Sequence, residues 1–355
     1  VPRFVAHPLA HGAPAPPTRS ACVFMTGGPR AYLPGLLCVM HRLEQVGSSH
    51  PLVLVVPEEE VGWFQAELDR RAPLHSRLTL MAVGHFNFSF APGSSSGRRS
   101  WADIFAARWA RAGFNVLDKL SVLAAPFSRV VWLDADIMVK RNVDELCALP
   151  PEVGFAAAHN TGTEARTCFN RRADYLESEQ CASCQHHGLT RSEVRATYWT
   201  AKALKENRSH LPLCEYEFNT GVMVVAPFSR HDFRVKVLDP TLCGRIRSSD
   251  KSDQGALNHL VLGQRAFGER GFLRLNQTYN AITRVRYMRY GLWNQWDGAL
   301  LHHTNSPKPW RERREYLRKN RTVKEGFDDL TKQYRALCPI ALNISGIPSA
   351  GIGRR

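Results

Sequence analysis

Two carboxylates two residues apart, Asp134 and Asp136, close the apolar run Val130-Val131-Trp132-Leu133. Four apolar residues in a row read as a buried strand, and open α/β sheets bind their ligands at the carboxyl ends of such strands. Side chains i and i+2 of an extended chain point the same way, so both carboxylates can face one hard cation. Two ionised carboxylates repel unless a cation or a donor compensates, and a divalent metal is the simplest compensation. The structural alternative is that Asp134 caps a turn and Asp136 is merely exposed. Lys119 is a second candidate, because a lone ammonium inside the apolar helical pattern Val116 to Leu123 needs an anion beside it. A third grouping is Cys181-Ala-Ser-Cys184-Gln-His186-His187 with Cys168 and Cys214 on either side. Its ligand types suit a structural zinc site, but in an oxidising lumen disulfides among the four cysteines are the expectation.

The elements that must position these groups alternate in type. Ala21 to Thr26 reads as a strand ending in the turn Gly27-Gly28-Pro29, and Tyr32 to Val46 carries helical spacing. Pro51 to Pro57 is a continuous β-branched run, followed by a helical Glu58 to Arg70 and a strand at Leu78 to Val83. Such β-α-β-α-β alternation implies a mostly parallel sheet with helices on its faces. A helix near Phe114 to Ala125 then leads into the strand Arg129 to Asp136, and Phe218 to Ala226 returns to strand character before a helix around Ser252 to Leu262. Residues 161–217 read as a Cys-rich excursion, 93–99 as a loop, 1–19 as a linker or stem remnant, and 311–355 as a polar C-terminal extension. The catalytic domain is placed at 20–310.

The chain has 355 residues, 44% apolar and 22% charged, with a formal charge of +15. This is a globular composition without the roughly 18-residue apolar run a membrane span needs. The charge admits nucleic acid, an anionic membrane or an anionic substrate. The stretch Arg284 to Arg321 interleaves bases with Tyr287, Tyr290, Trp293, Trp296 and Trp310, yet zinc-finger spacing, RNA-recognition aromatics and basic heptads are missing, so no nucleic-acid partner is expected. Nine cysteines and five Asn-x-Ser/Thr sequons, at Asn87, Asn207, Asn276, Asn320 and Asn343, point to a secretory lumen. A membrane would be met only through an anchor preceding Val1.

Seven segments in order resemble family 8 glycosyltransferases, the glycogenin-like retaining enzymes of the GT-A fold. They are Val23-Phe24-Met25-Thr26 with Tyr32; Leu117-Asp118-Lys119-Leu120; Leu133 to Asp136; Phe218-Asn219-Thr220-Gly221-Val222; Asp250 through Asp253-Gln254-Gly255; Tyr279-Asn280; and Leu301-His302-His303 with Lys308-Pro309-Trp310. The resemblance implies a GT-A fold, an α/β domain with one mostly parallel central sheet. It implies that Phe24, Met25 and Thr26 read uracil through their backbone while Tyr32 stacks on it, and that Asp134, Asp136 and His302 hold manganese or magnesium against the diphosphate. Counting back from Lys308-Pro309-Trp310 selects His302, and not His303, for that role. Ala135 would lie against the ribose, and Lys119 near the sugar and diphosphate. Asn219, Thr220 and Gly221 would contact the sugar, Asp250, Asp253 and Gln254 would surround its anomeric face, and Lys308 would neutralise the departing phosphate. Asn305 departs from the family, which usually has Gly there.

The expectation is a metal-dependent retaining transferase moving a sugar from a UDP-sugar donor to a carbohydrate, glycoprotein or lipid-linked hydroxyl in the secretory pathway, the Golgi first. The alternatives are a cytosolic self-glucosylating glycogenin-type enzyme and a basic polyanion-binding module on a degenerate transferase fold. A haloacid-dehalogenase-like phosphatase ranks below these, because Ile137 and Met138 follow the Asp pair and several strands precede it.

Overall fold

The computed structural model describes residues 4–7, 21–70, 77–84, 116–161, 213–239, 253–268, 271–284, 298–306, 308–310 and 321–339. Asp250, Cys168, Cys181, Cys184, the 93–99 loop, most of the basic-aromatic stretch and the sequons other than Asn276 lie outside them.

Eleven strands are described: β1 Phe4–His7, β2 Cys22–Gly27, β3 Leu52–Pro57, β4 Leu78–Val83, β5 Arg129–Leu133, β6 Ile137–Val139, β7 Phe155–Thr161, β8 Leu213–Val225, β9 Phe272–Leu275, β10 Ala281–Arg284 and β11 Leu301–Ser306. Helices are α1 Leu33–Gln45, α2 Val61–Arg70, α3 Arg230–Phe233, α4 Asp253–Asn258 and α5 Arg321–Leu337. The main sheet has eight strands in the order β1-β4-β3-β2-β5-β8-β7-β9. Strands β2, β3, β4 and β5 run parallel, β8 runs against both β5 and β7, β9 is parallel to β7, and β1 lies antiparallel on β4. The sheet is therefore mostly parallel, as the sequence implies, with β1 and β8 reversed.

Period-2 alternation divides each strand between two apolar layers. Phe24, Leu52, Leu54, Leu80 and Val131 pack with α1 and α2 on one face. Val23, Met25, Val53, Val55, Val130 and Trp132 pack on the other with Leu120, Val122 and Leu123, with Phe233 and with Ala256 and Leu257 of α4. The helix expected near Phe114 to Ala125 is a 3-10 segment over Val116–Ala124.

A second sheet, β10-β11-β6, stands at the carboxyl end of β5, where β10 is parallel and β6 antiparallel to β11. Within the polar 311–355 segment, α5 turns Val323, Phe327, Leu330 and Tyr334 onto one stripe buried against Cys38 of α1 and Met138 of β6. The Cys38–Cys338 disulfide and a hydrogen bond from the Tyr334 hydroxyl to Pro34 O (2.9 Å) fix it there. A second disulfide joins Cys22 to Cys147. Among the described residues no helix is long and apolar enough to cross a membrane.

Candidate functional site

Strand β5 ends at Leu133, one residue before the first carboxylate. Asp134, Ala135 and Asp136 form a turn rather than extended chain, closed by Ile137 N–H donating to Asp134 O (3.0 Å) and held to β8 by Asp134 N–H donating to Gly221 O (2.8 Å). The two carboxylates thus converge through a turn, and not through the i, i+2 alternation of a strand. Ala135 is buried in this turn. Its carbonyl lies so near α1 that a Cβ on Gly35 would stand 1.9 Å from Ala135 O and 2.7 Å from the Trp310 ring, so only glycine fits. A Cβ on Gly28 would likewise touch the Ala135 and Tyr32 Cβ atoms at 3.5 Å.

Asp134 Oδ1 accepts from two buried donors, Trp132 Nε1 (2.7 Å) and Lys119 Nζ (2.7 Å). The same ammonium lies 2.7 Å from Asp253 Oδ2 and donates to Thr220 O (3.2 Å), while Thr220 Oγ1 donates to Asp253 Oδ2 (2.8 Å). Burial alone would drive the proton off Lys119, but the Asp134 and Asp253 charges and hydrogen bonds outweigh it and hold the pKa above the ordinary lysine value. The anions beside this lysine are a pair of protein carboxylates.

Asp136 is pinned through its carbonyl, which accepts from Thr304 N–H and Thr304 Oγ1 (both 2.8 Å). Its carboxylate pairs with Lys308 Nζ through Oδ2 and faces His303 Nε2 at 3.3 Å through Oδ1. Ligand atoms of Asp134, Asp136 and His303 all lie within 4.8 Å of one another. His303, and not His302, therefore completes the group. Adjacent residues of β11 point to opposite faces, and His302 turns away to Thr283. There burial first, then the neighbouring Lys140 and His303 charges, hold the His302 pKa well below the ordinary imidazole value.

Lys308 Nζ also sits 5.4 Å over the Tyr32 ring, whose edge meets Trp310, which in turn packs on Tyr334 of α5. Asn219 Oδ1 accepts from Gly221 N–H and Asn280 Nδ2 (both 2.8 Å), and Asn219 Nδ2 donates to Gln254 Oε1 (3.0 Å). Asn280 Oδ1 lies 3.2 Å from His303 Nδ1. Gly221 makes room for that imidazole, since a Cβ there would be 2.4 Å from the His303 ring.

The expected residues Tyr32, Lys119, Asp134, Ala135, Asp136, Asn219, Thr220, Gly221, Asp253, Gln254 and Lys308 come together at this end of the sheet. Phe24 and Met25 do not reach it, because their side chains fill opposite core layers and β2 is paired on both sides, with β3 and β5. Thr26 is buried, and its hydroxyl has no hydrogen-bond partner among the described residues. Trp132, Asn280 and His303 also contact this cluster, and none of the three is among the residues expected there from the sequence. A polar atom on a core aromatic beside the Asp pair, and a second His beside the first, were the available signals.

The model of "Glycosyl transferase family 8" matches residues 119–314. No curated protein sequence matches the chain. Solved structures with similarity include a galactosyltransferase, LgtC, in complex with donor and acceptor sugar analogs (14% identity, TM-score 0.45, covering 89% of this chain and 99% of that one). Mouse xyloside xylosyltransferase 1 aligns at 14% identity and TM-score 0.41, over 82% of this chain and 100% of the other. The Streptococcus pneumoniae glycosyltransferase GlyE aligns at 14% and 0.40, over 90% and 64%. The family match takes in Lys119, the Asp pair, the amide cluster, His303 and Lys308 and spans more than half of the sequence, so the chain belongs to glycosyl transferase family 8 and is a glycosyltransferase.

Proposed function

We propose that this glycosyltransferase moves a sugar from a UDP-sugar to an acceptor hydroxyl with retention of configuration, using manganese or magnesium held by Asp134, Asp136 and His303. The observation that carries the reading is the convergence of two carboxylates and an imidazole within 4.8 Å at the β5–β6 turn. The donor set fits such an ion: oxygen and imidazole ligands suit manganese, and Asp136 Oδ1 and His303 Nε2 face each other at 3.3 Å, a distance that calls for a cation or a proton between them. When bound, the ion supplies charge stabilisation to the diphosphate leaving group.

The chain's own residues do the rest. Lys119 fixes Asp134 and Asp253 in place, and Lys308, tethered to Asp136 and lying over Tyr32, can turn its ammonium to the departing phosphate. Asn219, Thr220 and Gln254 would orient the sugar. Disulfides Cys22–Cys147 and Cys38–Cys338, with the sequons, support a secretory-lumen location, the Golgi first. The Lys308–Asp136 pair favours a second reading in which Lys308 alone supplies the leaving-group charge.

A thermal-shift screen of UDP-sugars with manganese or with EDTA tests the proposal. One donor should raise the melting temperature only with metal, a ligand at 100 times its Kd contributing about 2.7 kcal/mol. A donor that stabilises equally in EDTA selects the second reading, and no stabilisation by any UDP-sugar overturns both.

A further inference from the structure

We propose that Asn280 is a positioning residue that sets the tautomer of His303 and ties it to the sugar-side amides Asn219 and Gln254. Its hydrogen-bond assignment stands on geometry alone; its consequence for metal rests on the metal-site reading above.

The polarity of the chain of contacts enters at Gly221, whose backbone N–H can only donate. It lies 2.8 Å from Asn219 Oδ1, so the Asn219 atom there is the amide oxygen. The same oxygen lies 2.8 Å from Asn280, which must present its NH2 group. Asn219 Nδ2 is thereby turned to Gln254 Oε1 at 3.0 Å, a contact that is satisfied with this orientation. Asn280 is left presenting its oxygen to His303 Nδ1 at 3.2 Å. An amide oxygen only accepts, so Nδ1 carries the proton, and the neutral ring has its bare lone pair on Nε2. Nε2 is the atom that faces Asp136 Oδ1. Asn280 is 0% exposed, so no bulk water can take over either of its contacts.

One backbone N–H therefore dictates which nitrogen of His303 is available to a cation, through two intervening amides. Ligand imidazoles elsewhere are fixed by the same kind of outer hydrogen bond. Here the bond also reaches Asn219 and Gln254, so displacement of the amides on the sugar side would be felt at the metal side.

The test uses the full chain with isotope-labelled histidine nitrogens, metal-free, at about pH 8, above the ordinary imidazole range. Long-range proton–nitrogen correlation reads the protonation of each ring nitrogen, and His303→Gln identifies the resonances. Wild type should show a protonated Nδ1. Asn280→Asp, which retains an acceptor oxygen, should keep it, and Asn280→Leu and Asn280→Ala, which do not, should lose it. An unprotonated Nδ1 in wild type, or a protonated Nδ1 surviving in the Leu or Ala variant, overturns the assignment.

Manganese titration followed by the resonance of the free ion is the second readout. Affinity should fall about 10- to 100-fold in Asn280→Leu and stay close to wild type in Asn280→Asp. Unchanged affinity in Asn280→Leu overturns the link between Asn280 and the metal. A wild type with protonated Nδ1 that binds no manganese overturns the metal reading instead and upholds the tautomer assignment.

Discussion

The rotamer of Asp134 is fixed, because Trp132 Nε1 and Lys119 Nζ both donate to Oδ1 from inside the fold. Preorganised carboxylates of this kind need no rearrangement as a cation arrives. Removal of the buried ammonium would leave Asp134 and Asp253 without their shared counterion, so Lys119→Met should destabilise the fold by about 3–5 kcal/mol in urea titration. A loss below about 1 kcal/mol would show that Lys119 is not the structural counterion described here. Gly221→Ala places a Cβ 2.4 Å from the His303 ring and should lower manganese affinity about tenfold or more in a direct titration. At this scale the Asp pair, Lys119 and the Asn219 to Gly221 segment were legible, because their residue types are costly without a partner. The choice between His302 and His303 was not. Counting from Lys308 fixes a position along the chain, whereas the face of β11 is set by pairing with β6 and β10, which places His303 opposite Ile137 and beside Asp136.

Elements show the same division. β2, β3 and β4 were readable as strands because each is apolar along its length and buried on both faces, the pattern of a parallel sheet. Strands β6, β9 and β10 are three or four residues long, too few to carry a detectable periodicity, and the six residues of β11 are polar after Leu301, which hides a strand whose His302, His303 and Thr304 are buried. The Asp-x-Asp turn was taken for strand because an apolar run does not mark where it bends. The loop after α1 is tied to the 3-10 turn at Asp144–Leu146 by Asp144, which accepts from Ser48 Oγ, Ser49 N–H and Ser49 Oγ, each at 2.8 Å. Burial alone would raise its pKa, but these hydrogen bonds and the nearby His50 hold it below the ordinary aspartate value. A depressed folded-state pKa contributes stability that is present above the unfolded value and lost as pH falls through the folded one. Asp144→Asn should therefore cost about 1–3 kcal/mol at neutral pH. The penalty should shrink below about pH 4, which melts of both proteins across pH would reveal.

Across the whole molecule, the site depends on a helix that the composition of the C-terminal segment hides. Polar residues dominate α5, but its stripe from Val323 to Tyr334 backs Trp310, which meets the edge of Tyr32 beneath Lys308. The Cys38–Cys338 bond joins positions 300 residues apart and anchors α5 to α1, so Cys338→Ser should lower stability by about 2–4 kcal/mol and remove the sensitivity of the melt to reductant at this site. The formal charge of +15 pointed to an anionic partner without naming one. Within the site, Lys119 is committed to the Asp134 and Asp253 carboxylates, and Lys308 is paired with Asp136 and lies over Tyr32. We propose that Asp136, with Asp134 and His303, holds a divalent ion against a nucleotide diphosphate. Calorimetry of UDP binding with and without manganese, in wild type and Asp136→Asn, tests it most directly. Manganese should strengthen UDP binding to wild type and leave Asp136→Asn unaffected; equal UDP affinity in all four combinations would rule this metal site out.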